Sequence, residues 1–255
     1  MLMIKIRSFL QETGNITQFT KNYFLLGFRP PYEIKELLAQ CYLIGYKSLG
    51  LIAMTGFIIG LVLTMQLRPS LVRYGVESQL PVMVGIAIIR EIAPVIAALI
   101  FAGKIASSIG AELGSMRVTE QIDAMEVSGT HPFKYLVATR VLATTFMLPV
   151  LIILADAISL YGAWIGVNIG GTTSLSLFYS QVFDSLDFSD IIPAFIKSFF
   201  FGFAVGIMGA YKGYNAVKGT RGVGNAANSA VVLSSILIFV LDLIAVQITG
   251  ILGYN

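Results

Sequence analysis

The residues with most potential for chemistry stand where charge is costly. Arg90 and Glu91 interrupt "LPVMVGIAIIREIAPVIAALIFAG", residues 80 to 103, and Asp156, Lys197 and Asp242 each sit alone in another long apolar run. A carboxylate in hydrocarbon either relays a proton or pairs with a cation, because an unanswered charge there costs about 2.5–3.5 kcal/mol on the mildest insertion scale. Counting about 1.5 Å per residue from the outer ends of these runs, Arg90 lies roughly 15 Å deep, Lys197 roughly 9 Å, and Asp156 and Asp242 roughly 16 Å. One shared layer predicts one paired network: Arg90, Glu91, Lys197 and Asp242, with Lys197 reaching Glu91 or Asp242 and Asp156 as a fifth member. The network is either a passive lock or a moving part.

Other chemistries lack material. Cys41 and His131 are the single cysteine and histidine, which leaves no thiolate cluster and almost nothing for metal ligation or Ser-His catalysis. No G-x-x-x-x-G-K-[ST] occurs, so a P-loop nucleotide site is not expected on this chain. The reading is of a non-enzyme with no cofactor, no metal and no nucleic-acid partner.

A second charged feature lies outside the apolar runs. "GAELGSMRVTEQIDAMEVSG", residues 110 to 129, holds Glu112, Glu120, Asp123, Glu126 and Arg117 in a chain only 12% charged. Written as one helix it gathers Ala111, Gly114, Val118, Ile122 and Met125 on a face, with most of its charge elsewhere, and Gly129 before Pro132 is a stop signal. Such a helix is a solvated connection, a segment lying against the membrane, or a piece that docks into a groove on another protein.

These residues need elements to hold them. With 56% of 255 residues hydrophobic, the chain is a membrane protein, and five runs approach the roughly 20 residues a spanning helix requires: about Ser48 to Leu67, Leu80 to Gly103, Val141 to Val167, Ile191 to Tyr211 and Ala227 to Gly253. Gly56/Gly60, Gly162/Gly166 and Gly202/Gly206 are small-x-x-x-small pairs suited to close helix contact. Phe195, Phe199, Phe200, Phe201 and Phe203 read as packing or lipid-facing residues. The first 45 residues lack a signal-peptide pattern. They mix Ile4, Phe9, Phe19, Phe24 and Leu26 with Lys5, Arg7, Lys21 and Arg29, which suits an interfacial segment; a loose tail up to Pro30-Pro31 is the alternative. No internal repeat or linker is visible, and residues 1–255 read as a single domain.

Positive charge orients the spans. Thirteen of the 17 Lys and Arg lie before the first span (Lys5, Arg7, Lys21, Arg29, Lys35, Lys47), between the second and third (Lys104, Arg117, Lys134, Arg140) or between the fourth and fifth (Lys212, Lys218, Arg221). The N-terminus is expected in the cytoplasm and the C-terminus outside, with residues 110 to 129 cytoplasmic. Arg68 and Arg73 fall in the first outer loop, and the second, about Asn168 to Asp190, carries Asp184, Asp187 and Asp190.

The stretch "REIAPVIAALIFAGKIASSIGAELGSMRVTEQIDAMEVSGTHPFKYLVATRVLA", residues 90 to 143, resembles the signature region of the MlaE family of permeases, membrane subunits of lipid ABC transporters. The likeness continues to "FIKS" at 195 to 198 and "LDL" at 241 to 243, and departs from the family pattern at Ala93, Lys104, Ala106 and His131. It implies an all-α integral membrane protein with an N-terminal interfacial elbow helix over residues 1–45, five transmembrane helices within 46–255, and a cytoplasmic coupling helix at about 108–129. Glu112, Gly114, Met116, Arg117, Thr119, Glu120, Gln121, Asp123 and Glu126 would face a separate cytoplasmic ATPase. The implied assembly is a homodimer with two ATPase subunits and an MCE-domain protein on the periplasmic side of a bacterial inner membrane. It would carry phospholipid along a path near Leu61, Met65, Leu237 and Leu241. Two other readings start from the residues: an ion-coupled secondary transporter using Glu91, Asp156 and Asp242, disfavoured by the missing inverted repeat, and an intramembrane enzyme, disfavoured because the one imidazole lies in a loop.

Overall fold

In the computed structural model, which describes residues 2–27, 30 and 32–251, every regular element is helical. Arg29, Pro31 and the end of the fifth expected span at 252 and 253 lie outside the described residues, as do the side chains of Ile4, Lys5 and Phe9. Five stretches are long and apolar enough to cross a membrane: Ile34–Arg73, Glu77–Val118, Phe133–Asn168, Phe188–Tyr214 and Thr220–Ile251. Each contains most or all of one expected run and extends beyond it, because helix continues past the hydrocarbon wherever no breaker intervenes.

In chain order the helices are α1 (Leu2–Gly27), α2 (Ile34–Arg73), α3 (Leu80–Ala87), α4 (Ala93–Phe101), α5 (Ser107–Val118), α6 (Gln121–Val127), α7 (Thr139–Asn168), α8 (Leu175–Ser185), α9 (Phe188–Tyr214) and α10 (Thr220–Ile251). Wider π turns at Ile88–Ile92 and Ala102–Ala106 join α3 to α4 and α4 to α5, and a third at Phe133–Ala138 leads into α7. The first has a local cause. Pro94 has no N–H for the carbonyl of Arg90, and the ladder widens so that Ala93 N–H bonds to the carbonyl of Ile88.

The chain condenses into two compact units: Met1–Ile44, Ala102–Thr144 and Phe203–Ser235 form one, and Gly45–Phe101, Thr145–Gly202 and Ile236–Asn255 form the other. In the first, α1 is an ordered helix rather than a loose tail. It buries Phe19 and Tyr23 one turn apart, with Phe19 edge-on to Phe133 and Tyr211 at ring separations of 5.1 and 5.4 Å. Gly209 and Gly213 of α9 lie against Ala106, Ile109, Gly110 and Leu113, and Gly110 lies against Ala226 and Ala227 of α10.

In the second unit the glycine pairs of the first and third spans meet one another. Gly56 and Gly60 on α2 face Ala155, Ser159 and Ala163 on α7, while Gly162 and Gly166 face Phe57, Leu61 and Thr64. A Cβ on Gly60 would overlap the carbonyl oxygen of Ser159. The connection between α7 and α9, expected as an outer loop, contains α8. Ser174 Oγ accepts the N–H of Leu177 to cap it, and Phe178 and Val182 are buried. Val182 fills the space left at Gly85 of α3.

Gly60→Ala should therefore force α2 and α7 apart, costing about 1–3 kcal/mol as overpacking does and lowering the melting temperature of the purified protein. Gly50→Ala, where no atom lies within 4 Å of the added methyl, should leave it unchanged. Equal melting curves for the two variants would refute the close α2–α7 contact.

Candidate functional site

Two groups of charged side chains stand out, one in each unit. In the Gly45–Phe101, Thr145–Gly202 and Ile236–Asn255 unit, Lys197 of α9 is only 5% exposed. Its Nζ donates to Glu91 Oε2 at 2.6 Å and to Asp242 Oδ1 at 2.9 Å. Glu91 is carried by the π turn Ile88–Ile92 and Asp242 by α10, so one ammonium joins three spans. With both carboxylates answered by a cation, the cost of placing these charges away from water is offset by two short charge-assisted hydrogen bonds.

Arg90 and Asp156 are placed differently from the expected five-membered network. Arg90 points to Asp190, with nitrogen and oxygen 3.5 Å apart. Asp190 belongs to the first turn of α9, and its position in a stretch that reads as outer loop hides it from a search of the apolar runs. Asp156 makes no ion pair among the described residues, and its Oδ1 is buried without a hydrogen bond. Its chain neighbour Ala155 and Ser159 pack on α2, which carries no cation between Ser48 and Leu67.

Beside this triad an apolar groove of about 640 Å³ runs between α9 and α10. Ile192, Ile196 and Phe200 line one side, Leu241, Ile244 and Ile248 the other, with Lys197 in its wall. Of the four expected path residues only Leu241 borders it; Leu61, Met65 and Leu237 do not. A small polar recess holding Arg90, Glu91, Asp190 and Thr249 adjoins it and shares Lys197.

In the other unit the polar segment is two helices, not the single one expected at about 108–129. α5 continues the second span to Val118, and α6 occupies Gln121–Val127. The break is at Glu120, the one non-glycine residue with positive φ among those described (φ 59°), in the left-handed region that a side chain visits at a cost. Thr119 Oγ1 turns back to the carbonyl of Ser115, and Glu120 is held by Lys218 at 2.9 Å. Lys218 keeps the Glu120 carboxyl below its ordinary range, and Glu120 raises Lys218 in turn. Arg117 and Asp123 pair across the bend at 2.5 Å. Gly129 (φ 80°) closes α6, with Gly129 N–H bonded to Glu126 and Thr130 N–H to Met125.

The anticipated apolar face is only partly formed. Gly114 and Ile122 are buried, and Ala111, Val118 and Met125 are half-buried. Glu112, Glu120, Gln121, Asp123 and Glu126 are exposed, as is Thr119, and Met116 and Arg117 are intermediate. Glu112 meets Arg140, a residue absent from the expected set: Arg140 Nη2 donates to Glu112 Oε1 at 2.8 Å. Val127, also absent from it, is 91% exposed at the end of α6. An apolar side chain in that position is a signal that a charge-led reading passes over.

Residues 37–248 match the family model described as Permease MlaE. The chain belongs to the MlaE permease family. It is similar to the "Probable ABC transporter permease protein" of Rickettsia felis, 37% identical over 91% of this chain and 90% of that one. It also resembles the "Intermembrane phospholipid transport system permease protein MlaE" of Haemophilus influenzae, 35% identical over 83% and 82%. The "Probable ABC transporter permease protein ycf63" of Pyropia yezoensis is 32% identical over 96% and 93%.

Removing Lys197 strands two carboxylates, whereas removing Asp242 leaves Lys197 paired with Glu91. Lys197→Met should thus cost about 3–5 kcal/mol and reduce folded yield more than Asp242→Asn, with partial recovery in Lys197→Met/Asp242→Leu. Additive losses in that double mutant, measured by folded yield, would contradict direct pairing. At the bend, Glu120→Gly removes the left-handed penalty and an exposed pair of little worth. The melting temperature should stay level or rise by up to about 2 °C, and a clear fall would show that the Lys218 pair holds the bend.

Proposed function

We propose that this chain is the transmembrane permease subunit of an ATP-driven ABC transporter. It would move phospholipid or a similar lipid between the inner membrane and an MCE-domain partner on the periplasmic side, with ATP hydrolysed by two separate cytoplasmic ATPase subunits. The observation that carries the lipid assignment is the groove between α9 and α10: apolar along its length, with the polar recess of Arg90, Glu91 and Asp190 beside it. An acyl chain is compatible with the groove, whereas the recess, of about 10 Å³, has room for about one water. The intermembrane phospholipid role named for the Haemophilus influenzae relative supports the same substrate class.

A dimeric assembly is supported by what one chain leaves uncovered. α10 and α2 are the least buried of the five spans, with 17% and 28% of their central windows buried against 44–56% for the others. That supports a homodimer whose contact lies along these helices, with a lipid path near Leu61, Met65, Leu237 and Leu241 that meets the α9–α10 groove at Leu241 alone. The excess of Lys and Arg on alternate connections supports a cytoplasmic N-terminus, which puts the α5–α6 arm on the ATPase side and the 1–255 chain to work as one permease domain. Of the nine expected coupling residues Gly114 is buried against Ala216 and Val223, and Glu112, Met116, Arg117, Thr119, Glu120, Gln121, Asp123 and Glu126 are then the candidate coupling residues, joined by exposed Val127. Of the three carboxylates that an ion-coupled carrier would use, Glu91 and Asp242 already hold Lys197, which leaves Asp156 alone for such a role.

Reconstituted with its ATPase, the permease should transfer fluorescent phospholipid only when ATP is supplied. Transfer driven by a proton or sodium gradient without the ATPase would overturn this reading in favour of a secondary carrier. On the arm, Val127→Asp introduces a charge at the proposed docking surface and should weaken ATPase association at least tenfold, read by co-purification, without reducing permease yield. Unchanged association would remove Val127 from that surface.

A further inference from the structure

Arg140 and Lys197 are the buried cations among the described residues, and Arg140 has no part in the groove. It lies at the start of α7 with 3% of its side chain exposed. Nη1 donates to the carbonyl of Leu136, one turn back, and Nη2 to Glu112 Oε1 of α5. Its Nε is buried with no hydrogen-bond partner. A guanidinium can present Nε and one Nη side by side to a carboxylate as a two-pronged fork. Here Glu112 takes one prong only. Glu112 itself is 46% exposed, which leaves its second oxygen room to turn.

We propose that Arg140 and Glu112 form a two-position latch at the root of the α5–α6 arm. In the arrangement seen here Glu112 accepts a single bond from Nη2. In the second it accepts from Nη2 and Nε together, so α5 shifts against α7 and the stranded N–H is satisfied. The two residues are positioning residues for ATP-driven transport. Arg140 belongs to α7 and is tied to the π turn before it through Leu136, and a push on the arm is passed to α7 by changing how Glu112 engages the fork. An orphaned buried donor is the cost of the first position and the drive toward the second. Glu112, though 46% exposed, is thereby withdrawn from the candidate coupling residues and assigned to the root of the arm through its bond to Arg140. The latch rests on the permease reading above.

Arg140→Lys separates a latch from a plain structural pair, since an ammonium still answers Glu112 as a point charge but has no fork. Glu112→Gln is the companion on the half-exposed side: its amide oxygen can accept one bond, while its NH₂ group opposes the second prong. The experiment uses the full permease with its ATPase in proteoliposomes and measures lipid transferred per ATP hydrolysed, with permease yield and ATPase co-purification read alongside. Both variants should assemble, and transfer per ATP should fall about tenfold in each, within the range of ordinary coupling effects. Wild-type transfer per ATP in both variants overturns the latch while leaving the permease reading intact. Loss of ATPase association in Glu112→Gln, with yield preserved, overturns it by returning Glu112 to the docking surface. Absence of ATP-driven transfer by the wild-type complex overturns the permease reading and the latch with it.

Discussion

A charge inside a membrane has no water to answer it, so the protein must bring the counter-charge to it, and three spans are placed by that demand. Lys197 projects from α9 and binds both Glu91 and Asp242. Each contact is short, and a buried ammonium deprived of either carboxylate loses compensation it cannot recover from lipid. The π turn at Ile88–Ile92 belongs to the same solution. Pro94 denies the carbonyl of Arg90 its usual donor, the helix widens before it, and Glu91 is presented from the widened turn. The residue that disrupts the helix and the residue that needs an unusual position are three apart in sequence.

Apolar side chains give little preference for helix over lipid, since both are hydrocarbon, and packing inside the membrane depends on how near the backbones come. α2 and α7 come nearest where Gly60 lies against Ser159 and Gly162 against Phe57. This proximity has a consequence for polar groups. Ser159 Oγ, on the face that packs against α2, and Asp156 Oδ1 are both buried without hydrogen bonds. In the other unit Gly209 and Gly213 play the equivalent part against α5, which makes the arm's root a packed element and leaves the turn at Glu120 as its point of bending.

Much of this was legible in the sequence, and for a physical reason: a charge within twenty apolar residues is conspicuous, and so is a glycine pair four apart. The five spans and the residues Glu91, Lys197 and Asp242 follow from those signals. What escaped depended on residues whose types look ordinary. Asp190 sits beyond the apolar run, where a carboxylate is unremarkable, yet it faces Arg90. Glu120 carries no mark of left-handed backbone, which glycine or asparagine would have supplied, so the arm read as one helix. α8 had a signal that was passed over, since Ser174 precedes apolar positions at 175, 178, 179, 182 and 183, the start and spacing of a short amphipathic helix.

The two buried cations differ in chemistry in a way that fits their surroundings. An ammonium is a compact charge whose donors turn freely, and Lys197 uses that freedom to hold carboxylates on two different elements at once. Replacing it by a planar fork would favour one carboxylate at the expense of the other. A guanidinium has fixed directions, and Arg140 uses two of them toward Leu136 and Glu112 while the third is left over. A saturated junction resists movement because any displacement breaks a bond before another can form. A junction with a donor in reserve has a second arrangement within reach, and it stands on the element that leads from the spans to the exposed helix α6.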